Sequence, residues 1–153
     1  MGADPEKLPE KEKWKKLLLE EISKPLRDKN KYYIIWTIDK EAIGHSNINK
    51  IKFGKSAFMH LHLWNIDNRQ KGSGEYFIKK TIPYYFENFE LEELYCEPYA
   101  KNPAPNRILE KIGFELIKTY ETTPGWINFR QLVKKWCLSK NKFEKIKTAN
   151  NDS

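Results

Sequence analysis

Ser56-Ala-Phe-Met-His-Leu-His-Leu-Trp64, then Asn65-Ile-Asp-Asn-Arg-Gln-Lys-Gly-Ser-Gly74, then Glu75-Tyr-Phe-Ile-Lys-Lys-Thr-Ile-Pro-Tyr-Tyr-Phe-Glu-Asn-Phe89, is a change of hydrophobic period within one stretch of chain. In the first segment Ala57, Met59, Leu61 and Leu63 point one way and Phe58, His60, His62 and Trp64 the other, the period of a strand. In the third, Phe77, Ile78, Ile82, Tyr85, Phe86 and Phe89 recur at helical spacing and predict about four turns, kinked or distorted at Pro83. Between them, glycines in Arg69–Gly74 let backbone N–H groups approach an anion, and the start of the helix adds a favourable dipole. Arg69 and Lys71 supply charge beside it. A lone Gly-x-Gly is equally the signature of a plain turn. It is not a Walker loop, since no Gly-Lys-Ser/Thr closes it, and Phe77 stands where a dinucleotide fingerprint has its third glycine.

Outward from this core, Leu8–Asp28 carries Trp14, Leu17, Leu18 and Ile22 at helical spacing, with Pro25 as a breaker. Tyr32–Ile38 and Ala42–Asn49 read as a hairpin. Downstream, Leu91–Pro98 is a strand, and Pro103–Ile112 is a short helix stopped by Gly113. Phe114–Thr122 and Trp126–Leu138 are strands joined by Thr123-Pro124-Gly125. The expected fold is α/β: a mixed, mostly antiparallel central sheet with flanking helices. Residues 1–31 are an N-terminal helical segment, 32–138 the core, and 139–153 a basic, flexible tail.

The 153 residues are one domain's worth of chain, with 39% hydrophobic and 32% charged residues. No apolar run approaches the ~20 residues of a membrane helix, and Met1–Lys16 lacks the apolar region of a signal peptide. Cys96 and Cys137 stand apart without a Cys-x-x-Cys unit, which points to a reducing, cytoplasmic setting rather than a disulfide or thiolate–zinc scaffold. The net charge of +7 divides as +2 over residues 1–31, zero over 32–129 and +5 over 130–153. Basicity therefore belongs to the ends, and nucleic-acid binding is the lesser reading.

The loop's position between an alternating strand and an amphipathic helix, with Asn102-Pro-Ala-Pro-Asn106 and Gly113-Phe114 downstream, resembles the GNAT acetyltransferase superfamily. The similarity is greatest to its branch acetylating protein N-terminal amines in bacteria. It is carried by Ala42–Asn47, Leu61–Trp64, Arg69–Gly74, Asn102 and Asn106–Phe114, and covers about residues 32–138. The resemblance implies a splayed strand pair holding the arm of acetyl-CoA, and direct transfer of acetyl to a primary amine in a ternary complex. It implies cofactor contacts at Leu63, Trp64, Arg69, Gln70, Lys71, Gly72, Ser73, Gly74, Glu75, Asn102 and Asn106. Two positions depart from the family: Pro105 stands where this branch has serine, and Leu109 where many relatives have a tyrosine as thiol acid.

The chemistry needs a neutral amine. A lysine with pKa ~10.4 is rarely neutral at pH 7, whereas an N-terminal amine near ~7.7–8.0 is roughly a tenth neutral. Glu97 and His62 are candidate bases and Tyr99 a candidate acid for the thiol, while a backbone N–H at Leu63 or Trp64 would polarise the thioester carbonyl. The acceptor is a peptide or a small amine. Gly125–Phe129 reads equally as an acceptor-pocket lining or a homodimer contact. Two alternatives stand beside the enzyme: an acetyl-CoA-binding protein with little catalysis, and a cupin-like metal protein. The latter is suggested by Gly54, His60-x-His62, Asp67 and Gly74, but lacks a later histidine, and no metal is expected.

Overall fold

The computed structural model describes residues 6, 10–64, 72–123 and 129–151. Helix α1 (Lys11–Ser23) leads into a 3-10 turn at Leu26–Asp28 and a hairpin of β1 (Tyr32–Ile38) and β2 (Glu41–Lys52). Strand β3 (Ser56–Leu63), helix α2 (Ser73–Phe89), strand β4 (Glu93–Cys96) and helix α3 (Pro103–Ile112) follow. Strands β5 (Glu115–Thr122) and β6 (Gln131–Ser139) and helix α4 (Lys140–Asn151) close the fold. The sheet order is β1-β2-β3-β4-β6-β5, with β3 and β4 parallel and the other pairs antiparallel, as the sequence predicts for a mixed, mostly antiparallel sheet.

Period-2 patterning divides the sheet into two faces. Trp36, Ser46, Ile48, Ala57, Met59, Leu94, Trp136 and Leu138 belong to one and meet the buried stripe of α2, namely Ile78, Thr81, Ile82, Tyr85, Phe86 and Phe89. Pro83 lies inside α2, where its missing N–H removes one helical bond without ending the helix. Polar groups entering this core are paired. Trp36 Nε1 donates to Thr81 Oγ1 at 3.0 Å, and Tyr85 OH donates to Ser46 Oγ at 2.7 Å, which in turn donates to the His60 carbonyl at 3.1 Å.

The expected flexible tail is a correction. Residues Lys140–Asn151 form α4, and Phe143 is buried, stacked on Phe86 with ring centroids 4.5 Å apart. Phe143 and Ile146, three residues apart, supply one apolar edge that holds the lysine-rich segment to the core. Strand β4 is shorter than the predicted Leu91–Pro98, because past Cys96 the chain leaves β3 while still bonding β6 through Lys134 N–H to the Pro98 carbonyl (3.1 Å).

Candidate active site

Strands β3 and β4 pair from Ser56↔Glu93 to Met59↔Cys96 and then part. β3 continues to Leu63 paired with β2, while the chain after Cys96 follows β6. The result is a wedge opening between neighbouring parallel strands. On the helix face it becomes a cleft of about 210 Å³ lined by Trp36, Leu61, Leu63, Ile78 and Ile108, with His62, Gly72, Gly74 and Asn102 at its polar margin. Pro105, the departure from the expected serine, also lines it.

Gly72 opens α2 in the left-handed region at φ 71°, a conformation that favours glycine. Ser73, Gly74 and Glu75 form the first turn. The Glu75 carboxylate binds Lys79 at 2.8 Å and Lys111 at 3.1 Å, which hold its pKa below the usual range. Arg69, Gln70 and Lys71 lie outside the described residues, as does the Gly125–Asn128 part of the Gly125–Phe129 stretch.

Two predicted cofactor contacts are turned elsewhere. The Trp64 N–H donates to the Ile43 carbonyl at 2.9 Å, which removes it from the candidates for polarising a thioester, and its indole N–H donates to His45 Nδ1 at 3.0 Å. Because 43↔64 is a bonded pair, Leu63 opposite Gly44 directs its main-chain groups away from β2, toward the wedge. The Asn106 amide is committed inside the protein: Nδ2 donates to the Tyr99 and Asn102 carbonyls (3.0 and 2.7 Å), and Oδ1 accepts from Trp136 Nε1 (2.8 Å). Asn106 shapes the Tyr99–Asn102 connection instead of reaching outward. Leu109 is fully buried in the core, so the proton for the thiol has to come from elsewhere.

The candidate bases stand on the opposite face, one on each side of the wedge. Glu97 is buried and accepts a short hydrogen bond from Tyr120 OH, a residue whose role the sequence did not signal; burial and this bond push the Tyr120 phenol up to about 12. Tyr99 is exposed nearby and bridges to Val133. Across the wedge, His62 stacks on His45 with centroids 4.7 Å apart. Burial, then the neighbouring His62, push His45 down to about 4, and burial alone lowers His62 below its ordinary value. His60, bonded to Asn49 Oδ1 at 3.0 Å, is pushed to about 4 by burial, then by His62, Lys50 and Lys31. The imidazoles are therefore neutral at pH 7, and His62 is in the form that accepts a proton.

A splayed parallel pair with a glycine-opened helix beside it is the arrangement the sequence resemblance implied, and the acetyltransferase (GNAT) domain family matches residues 3–115. The chain belongs to the GNAT acetyltransferase family. Among solved structures, the spermidine N-acetyltransferase from Vibrio cholerae in complex with CoA and spermine is similar over 90% of this chain and 79% of its own, at 20% identity and TM-score 0.74. An aminoglycoside acetyltransferase in complex with coenzyme A is similar over 83% and 78%, at 18% identity and TM-score 0.65. At these identities the likeness is one of fold. No curated protein matches the chain in sequence.

Membership brings the family's reaction, acetyl transfer from acetyl-CoA to an amine nitrogen. The cleft fits that cosubstrate's arm: it is walled mainly by apolar side chains and bordered at one margin by Gly72 and Gly74. The cupin-like alternative is overturned, because α2 occupies Ser73–Phe89 where a cupin continues in strand, and the sheet is the GNAT one.

Proposed function

We propose that the protein transfers acetyl from acetyl-CoA to a primary amine, that of a protein N-terminus or of a small molecule, by direct attack in a ternary complex. The observation that carries this reading is the position of His62. It borders the cleft on the helix face between Leu61 and Leu63, while its imidazole stands in the cluster on the opposite face, so this one residue of β3 meets both sides of the wedge. The acyl arm enters from the helix side along Leu61 and Leu63, with Gly72, Ser73, Gly74 and Asn102 toward its phosphate end. Arg69, Gln70 and Lys71 complete that end by sequence. The acceptor comes from the other side.

As the amine nitrogen bonds to the thioester carbon, the neutral His62 imidazole takes the proton the nitrogen must lose. The C–S bond then breaks, and Tyr99 on the far wall protonates the departing thiolate. Glu97 is the second base candidate, already engaged by Tyr120. The core, residues 32–138, performs this chemistry with the N-terminal segment beside the start of β1. There Glu21 accepts from the N–H groups of Asn30 and Lys31 at 2.9 and 3.1 Å. The two cysteines, both free, accord with a cytoplasmic setting.

The test is thiol release from acetyl-CoA with a panel of α-amino peptides, lysine peptides, polyamines and aminoglycosides. Turnover with at least one amine, lowered about 10²–10⁴-fold by His62→Gln, is the expected result. Cofactor-induced thermal stabilisation with no turnover on any amine would instead make the protein an acetyl-CoA-binding regulator.

A further inference from the structure

His45 exchanges no proton with the amine or the thiol, yet it is the hub of the cluster beside His62. It lies opposite Ile35 of β1 and His62 of β3 in register. Its ring contacts three others: His62 at 4.7 Å and 27°, Trp64 at 5.7 Å and Tyr33 at 5.8 Å between centroids. An indole N–H can only donate, so its bond to His45 Nδ1 leaves that nitrogen unprotonated and places the neutral ring's proton on Nε2. Protonating Nδ1 would break the bond to Trp64. The backbone behind the stack is equally fixed, because a Cβ at Gly44 would overlap the His62 carbonyl oxygen, so β2 and β3 approach there as only glycine allows.

We propose that His45 is a positioning residue for acetyl transfer: pinned in one tautomer by Trp64, it holds the His62 imidazole stacked and neutral at the mouth of the wedge. This rests on the reading of His62 as the base. Two physical effects converge on the same result. The flat stack restricts the rotation of His62 about its own side-chain bonds, and the second ring displaces water from one of its faces. Among the described residues, the other titratable or charged groups around the stack are His60 two positions back on β3 and Tyr33 on β1. Lys31 and Lys50 act on His60, Glu21 of α1 acts on Tyr33, and Glu97 stands across the wedge. The lysines oppose protonation of His60, in the same direction as His45 does there.

The experiment compares His45→Ala, His45→Phe and Trp64→Phe in the full chain. It reads the pH profile of kcat/KM together with an NMR titration of the histidine rings, of which the chain has three. Acetyl-CoA-induced thermal stabilisation, retained in each variant, certifies the fold. The expected result is that His45→Ala raises the His62 pKa toward 6.5 and moves the acidic limb of kcat/KM upward with it. On the acid side of the limb, activity falls about tenfold for every pH unit that the limb moves. His45→Phe, which keeps a flat uncharged ring in place, restores most of the activity, and Trp64→Phe falls between. If His45→Ala leaves both the titration and the limb unmoved, His45 does not position the base and the proposal is overturned. If the titration moves but the limb stays, and His62→Gln also keeps its activity, the base reading falls and the catalytic purpose of His45 with it.

Discussion

From Ser56 to Met59, β3 lies in register with β4, and Ala57, Met59 and Leu94 are fully buried between the sheet and α2. From His60 to Leu63 the same strand has lost β4, and its side chains are half-buried or exposed. The first half is thus anchored by the buried Ala57 and Met59, while in and around the second half Leu61 and Leu63 pack partly buried on the core and polar contacts are made sideways. His60 bonds Asn49, Trp64 bonds His45, and across the gap Tyr120 bonds Glu97. Opening a sheet removes the ladder partners of its polar groups, so partners have to come from side chains. Among those side chains, His60, His45, Tyr120 and Glu97 are titratable.

The comparison breaks most visibly if the closed half is hollowed out. Met59→Ala should cost about 2–5 kcal/mol of stability, since a buried thioether side chain is removed from a packed core. Urea unfolding measures this, and the folded fraction should still gain stability with acetyl-CoA. A variant that stays folded but no longer responds to acetyl-CoA would mean that the two halves are mechanically one unit.

Acid sharpens the contrast from the other side. His60 titrates near 4 in the folded protein and near 6.5 unfolded, so the unfolded chain binds more protons between those values. Its contribution to stability is complete above pH 6.5 and is lost as pH falls toward 4, on the order of 3 kcal/mol. His45 and His62 act in the same direction. Urea midpoints at pH 7 and pH 4.5 should differ accordingly, and His60→Asn should flatten the dependence. Equal midpoints would show that the rings titrate as they do in water.

The closed half was legible in the sequence, and the open half only partly. Ala57, Met59, Leu61 and Leu63 alternate with Phe58, His60, His62 and Trp64 because one face is buried, and a period of two survives whatever the neighbouring strand does. The helix stripe from Phe77 to Phe89 and the stop at Gly113 were readable for the same local reason. The commitments of polar groups were not, because they depend on residues distant in sequence. Asn106 looks like a cofactor ligand until Trp136, thirty residues on, claims its oxygen. Tyr120 looks like an ordinary aromatic of an edge strand until Glu97 is placed beside it. The last helix was hidden differently: Lys140, Lys142, Lys145 and Lys147 around Phe143 and Ile146 read as a solvated run, although those two apolar positions carried the signal.

Asn106 tests whether such buried commitments reach the cleft. Asn106→Ala removes the acceptor of Trp136 Nε1 and one donor each from the Tyr99 and Asn102 carbonyls, which should cost about 1–3 kcal/mol. Because the amide ties down the Tyr99–Asn102 connection, and Asn102 borders the cleft, the affinity for acetyl-CoA should fall as well. Isothermal titration beside the melt separates the two. Lost stability with unchanged affinity would confine Asn106 to the core.

The smallest effect is expected where the two walls of the wedge differ. Tyr120→Phe keeps the ring and removes one donor from a buried carboxylate, a loss of about 1–2 kcal/mol by the usual worth of such a bond. The consequence for rate discriminates between the bases. With His62 as base, Glu97 is a bystander on the opposite wall, and kcat should change less than roughly threefold, small against the 10²–10⁴ of general base catalysis. A fall of tenfold or more at unchanged KM for acetyl-CoA would move proton abstraction to the Glu97–Tyr120 wall. His62 and His45 would then be left as the lining against which the acceptor packs.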